Sequence, residues 1–116
     1  MTKKELSQLY WLRQELQDDK QRLAELLDQQ QYEDNVKIKA EIANLRAIIE
    51  TRHQLCLYER NRLEQYISEI EDSTTRLIFK YRFVDNLEWA QISTKMRGLS
   101  PDSLRMTVNR YIKRTR

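Results

Sequence analysis

The sequence predicts an all-α chain. An N-terminal antiparallel helical hairpin of coiled-coil type occupies residues 1–71, and a C-terminal trihelical helix-turn-helix domain occupies residues 72–116. Three observations predict this. Ile42, Ile49, Cys56, Leu63 and Ile70 recur every seven residues, the repeat of helices that pack along a seam. One glycine and one proline in 116 residues leave little room for loops, and 34% charged residues suit long helices with solvated faces. Residues 87–114 read as a helix, a glycine turn and a second helix carrying cations.

The elements follow in order. Residues 3–30 hold no Gly or Pro, and Leu9, Leu12, Leu16, Leu23, Leu26 and Leu27 form an amphipathic stripe that Asp19 interrupts. Tyr10 and Trp11 lie off it, as residues that cover neighbouring surface. Residues 28–35 are polar and non-periodic, so a turn falls there, with Asp34 or Asn35 capping the next helix. Residues 36–71 carry the seven-residue repeat. Leu45 and Tyr66 supply its second seam position, Arg52 and Glu59 interrupt it, and Ile38, Ile48, Leu55 and Ile67 widen it. A stripe so wide, with charges inside it, predicts that two hairpins share a core as a homodimer.

Residues 72–75 (DSTT) break the repeat and offer caps for a third helix over 74–84, with Leu77, Ile78, Tyr81 and Val84 on its inner face and Phe79 and Phe83 at the core margin. The alternation of Leu77, Phe79, Tyr81 and Phe83 also fits a strand. A lone strand would leave its backbone unpaired, so the helix is preferred. Asp85-Asn86 turns the chain. Trp89, Ile92, Ser93 and Met96 then form one helical stripe, with Ser93 small enough for a close helix approach. Gly98 permits the turn, Ser100 caps, and Pro101 takes the first helical position. The predicted core of the trihelical unit is Leu77, Tyr81, Val84, Leu87, Trp89, Ile92, Met96, Leu99, Leu104, Val108, Tyr111 and Ile112.

Charge is divided unevenly. Residues 73–116 hold 10 Lys/Arg against 3 Asp/Glu, a net of +7, while residues 1–72 hold 11 against 15, a net of −4. Such a split points to a polyanion for the C-terminal half. No apolar run approaches the roughly 18 residues of a membrane span, and no signal peptide opens the chain. The single Cys56 excludes an internal disulfide framework and fits a reducing cytoplasm. His53 has no ligand-spaced companion, so a surface role is expected and no metal. No phosphate loop, nucleophile motif or catalytic constellation appears. An enzyme, a cofactor and a small-molecule ligand are therefore not expected.

Stepping about 100° per residue from an inward Leu104 places Met106, Arg110, Lys113 and Asp102 on the opposite face of the last helix. Ser103 and Asn109 flank them, and Arg105, Thr107 and Arg114 lie at the edges. Arg110 and Asn109 have the forked donor and acceptor geometry that matches guanine and adenine edges in a major groove. Lys95, Arg97, Arg105, Arg114 and Arg116 are placed for phosphates. Double-stranded DNA is the expected partner.

Residues 73–114 resemble region four of bacterial sigma factors: an arginine-containing helix ending in RFV, then a two-helix unit. The whole chain resembles the phage-encoded ArpU/RinA-type late transcriptional regulators. The resemblance lies in TKKELSQLYWLRQEL, IEDSTTRLIFKYRFVDNLEWAQIS and PDSLRMTVNRYIKR. Ser93 stands where the sigma pattern has alanine, and one extra residue separates Met96 from Gly98. The resemblance implies a recognition helix over 101–114, regulation of phage late genes in the cytoplasm of a bacterial host, and host RNA polymerase as a further partner. Two other readings pair similar parts: the DNA-recognition small subunit of a phage packaging terminase, and a coiled-coil adaptor of RNA polymerase.

Overall fold

A computed structural model describes residues 1–115 and shows an all-helical chain with no strand among them. The helices are α1 (Lys3–Leu6), α2 (Gln8–Gln30), α3 (Val36–Ser68), α4 (Ser73–Phe79), which runs on into a π-helical turn at Lys80–Val84, α5 (Trp89–Lys95) and α6 (Pro101–Arg114). None of them is long and apolar enough to cross a membrane. The alternation at 77–83 is thus helical.

The chain divides into two compact units. One is Trp11–Tyr58; the other joins Met1–Tyr10 to the chain from Glu59 onward. The sequence places its boundary at residue 71, between helices. The compact units divide within α2 and α3, between residues 10 and 11 and between 58 and 59. Leu6, Leu9, Leu63, Ile67 and Ile70 are buried and fall in the unit that holds the C-terminal helices.

In the unit Trp11–Tyr58, α2 and α3 are joined by a turn in which the Asn35 carboxamide oxygen accepts from the Ile38 N–H at 3.0 Å, so Asn35 is the cap. Leu26, Ile38 and Ile42 form a buried cluster against which Leu23 and Leu45 pack. Leu12, Leu16 and Cys56 are buried as well, while Ile49 is half-buried and Ile48 and Leu55 are exposed. The two charges that interrupt the stripes meet. Arg52 of α3 pairs with Asp19 of α2 and reaches Glu15 at 3.3 Å. The Asp19 hydrogen bond pushes the Arg52 pKa up. Burial pushes the Cys56 thiol up, which keeps it protonated and inert. His53 is exposed, as are Trp11 here and Tyr10 in the other unit.

In the other unit the first helix expected over residues 3–30 is interrupted at Ser7, whose hydroxyl donates to the Lys3 carbonyl at 2.9 Å. Thr2 and Glu5 form a capping box: the Glu5 N–H donates to Thr2 Oγ1 at 3.2 Å and the Thr2 N–H to Glu5 Oε1 at 3.3 Å. Phe79 is the centre of this core. It is fully buried, with the rings of Tyr66, Phe83 and Tyr111 centred 6.4, 5.4 and 5.2 Å away. This corrects the inner face expected for the third helix. Phe79 and Phe83 are core, whereas Leu77 is 42% exposed and Tyr81 half-buried. Thr75, Ile78, Phe79 and Phe83 keep helical spacing, and the π turn inserts one residue so that Val84 also faces inward. Of the other residues expected in this core, Ile92, Leu104 and Val108 are buried, while Leu87, Trp89, Met96, Leu99, Tyr111 and Ile112 are half-buried.

Candidate nucleic-acid interface

The turn between α5 and α6 is fixed by local chemistry. Gly98 has φ +85°, a conformation that costs a side-chain-bearing residue energy and a glycine none. The Ser93 hydroxyl donates to the Leu99 carbonyl at 2.7 Å, tying α5 to the turn, and the Leu99 N–H donates to the Met96 carbonyl at 3.2 Å. Ser93 therefore supplies a bond that an alanine would lack. The Ser100 hydroxyl oxygen accepts from the Ser103 N–H at 3.1 Å, and Pro101 follows at the first position of α6. Upstream, Asn86 at φ 55° turns the chain after the π turn, and its carboxamide donates to the Phe83 carbonyl at 3.2 Å.

With Leu104 and Val108 buried, α6 presents an exposed face of Asp102, Ser103, Arg105, Met106, Asn109, Arg110, Lys113 and Arg114. Met106 is 55% exposed at the middle of it. Thr107 is half-buried, and its hydroxyl donates to the Ser103 carbonyl at 2.9 Å. The Ser103 hydroxyl accepts from that of Ser100 at 3.0 Å. Lys95 ends α5 and Arg97 lies in the turn, both exposed. Arg116 lies outside the described residues.

The C-terminal cations are not equally available. Arg76 donates to the Ile70 carbonyl at 2.7 Å and to Ser73 Oγ at 3.0 Å, bracing the α3–α4 corner. Arg82 donates to the Leu87 carbonyl at 3.0 Å and lies 4.5 Å from the Trp89 ring centre, where burial pulls its pKa down. It positions the start of α5. Lys80 and Lys95 lie 5.8 and 5.4 Å from the Tyr81 ring, and Arg114 lies 5.7 Å from that of Tyr111. Arg105 pairs with Asp102 at 2.7 Å. Arg97, Arg110 and Lys113 have no ion pair among the described residues. Charge counting alone misses this division. It depends on which carbonyls and rings the fold brings near each cation.

On the flank of α6 nearest α4, a cleft of about 340 Å³ is lined by Asp72, Thr75, Thr107, Arg110, Tyr111 and Arg114. Asp72 caps α4, with its Oδ2 accepting from the Thr75 N–H at 2.9 Å and the Thr75 hydroxyl at 2.8 Å. These bonds hold its carboxyl below the usual carboxylate range. The sequence marks Asp72 as a cap candidate but does not reveal its place beside the α6 cations. Among the described residues no group of three or more His, Cys, Asp or Glu is arranged to hold a metal ion. An exposed helical face whose Arg110 and Lys113 have no ion pair among the described residues offers guanidinium, ammonium and carboxamide donors to phosphates and to base edges.

No protein-family model, curated protein or solved structure matches this chain.

Proposed function

We propose that the protein is a sequence-specific DNA-binding regulator of transcription that places α6 in the major groove of duplex DNA. The observation that carries this reading is the construction of α6. One face is anchored by Leu104 and Val108, the start is set by a glycine turn and a serine cap, and the open face carries Met106, Asn109, Arg110 and Lys113, whose two cations have no ion pair among the described residues. A recognition helix needs this combination, because base readout requires donors held in place by a rigid support. The basic C-terminal half supplies attraction to the polyanion. The resemblance to sigma region four supports transcription as the process, and that to ArpU/RinA-type proteins supports phage late genes as the target, in a bacterial cytoplasm.

The same reading includes a homodimer. Ile48 and Leu55 are seven residues apart on α3, and each is more than two-fifths exposed, an apolar seam suited to a second copy. Two copies on DNA would read half-sites about one helical turn apart or a multiple of it. Selection from a pool of random duplexes tests the function. A recurrent short motif is expected among the bound sequences, and recovery of the pool without enrichment would contradict sequence reading.

A further inference from the structure

We propose that the cleft between the start of α4 and the C-terminal half of α6 seats a backbone phosphate of the bound duplex, with Arg110 as its principal cation. The proposal rests on the DNA reading above and divides the labour within it. Arg110 positions the helix on the strand, while Met106 and Asn109 meet the bases.

Arg110 and Arg114 line the cleft one helical turn apart, and Met106, Asn109 and Lys113 do not line it. Arg110 shares the face opposite Leu104 with Met106 and Lys113, but it stands on the side of that face toward Arg114, and only these two guanidiniums reach the cleft on the flank. When a helix lies in a major groove, its crest faces base edges and its flanks face the phosphate walls. The cleft holds one carboxylate, Asp72, against two guanidiniums, and that carboxylate is spent on Thr75. The balance is one positive charge, matched to one phosphate. The Thr75 and Thr107 hydroxyls donate within the protein, which leaves the two guanidiniums as the charged donors of the cleft, beside the neutral Tyr111 hydroxyl. Glu69, Glu71 and Asp72 line an adjoining cleft with Arg114, so Arg114 faces more negative charge and contributes less than Arg110.

Fluorescence anisotropy of the full chain on a selected duplex and on its scrambled counterpart, over a range of salt, tests the assignment. Arg110→Ala should weaken both duplexes by the same factor and lower the salt slope by about one unit. Arg110→Lys keeps the charge, so slope and preference should stay near those of the wild type. Asp72→Asn keeps a helix cap and removes the opposing charge, so both duplexes should bind more tightly. Circular dichroism verifies the fold of each variant. The assignment is overturned if Arg110→Ala weakens the selected duplex alone at unchanged slope and Arg110→Lys is as damaging, because Arg110 would then sit on a base edge and the DNA reading would stand. An Arg110→Ala protein that binds like the wild type, or an Asp72→Asn protein that binds no tighter, overturns it too. A wild type that binds neither duplex at any salt would remove the DNA reading itself.

Discussion

Phe79 shows how much a single position can depend on its surroundings. In sequence it is one of four alternating apolar residues; in the fold it is the fully buried ring on which Tyr66, Phe83 and Tyr111 converge. Leu77, two residues earlier, is 42% exposed. The two therefore differ sharply in what truncation removes. Phe79→Ala should cost about 3–5 kcal/mol, the range for deleting a buried aromatic and leaving a cavity. Leu77→Ala should cost less than about 1 kcal/mol, as for most surface changes. Urea titration of both variants checks this, and equal losses would show that the third helix presents a different face.

Among the helices, α2 and α3 solve between them a problem that their sequences pose. Asp19 interrupts the stripe of α2 and Arg52 that of α3, and in the fold each answers the other. Removing Arg52 should leave the half-buried Asp19 without its partner, while removing Asp19 leaves Arg52 only Glu15, and removing both should recover part of the loss. Thermal melting of Asp19→Ala, Arg52→Ala and the double variant measures this coupling. Arg52→Ala should be the worse single change, since Glu15 also loses its partner, and purely additive losses would mean the pair contributes nothing. The helices themselves were legible because each has a local cause: heptad spacing for α3, the Asn35 cap at its start, and Gly98, Ser100 and Pro101 around α6. The interruption at Ser7 and the π turn at Lys80–Val84 were not. A π turn depends on packing on either side of it and leaves no spacing in the sequence to read. The face of the third helix is half legible: Ile78 and Val84 are buried as their spacing predicts, whereas the choice of Phe79 over Leu77 is made by the rings packed around Phe79. On α6 the exposed residues were legible from helical geometry, but the partners of its cations and the cleft beside Asp72 arise from tertiary contacts.

For the whole molecule, the internal pairing of Arg52 removes one reason for a shared four-helix core, and the exposed pair Ile48 and Leu55 becomes the place to test it. Sedimentation should give a dimer mass for the wild type and a monomer mass for Ile48→Asp/Leu55→Asp, because a charge buried in the seam is unpaired. A monomer mass for both would remove the dimer. The charge split of the chain sets the larger expectation: a polyanion that one end attracts, and a helix that tells one sequence from another. Anisotropy of the wild type on the selected duplex and on scrambled DNA, repeated at several salt concentrations, tests that claim most directly. A sequence-reading helix should bind the selected duplex more tightly at every salt concentration, with affinity for both falling as salt rises. Equal affinity for the two duplexes would contradict sequence-specific regulation, and no binding to either at low salt would contradict DNA recognition altogether.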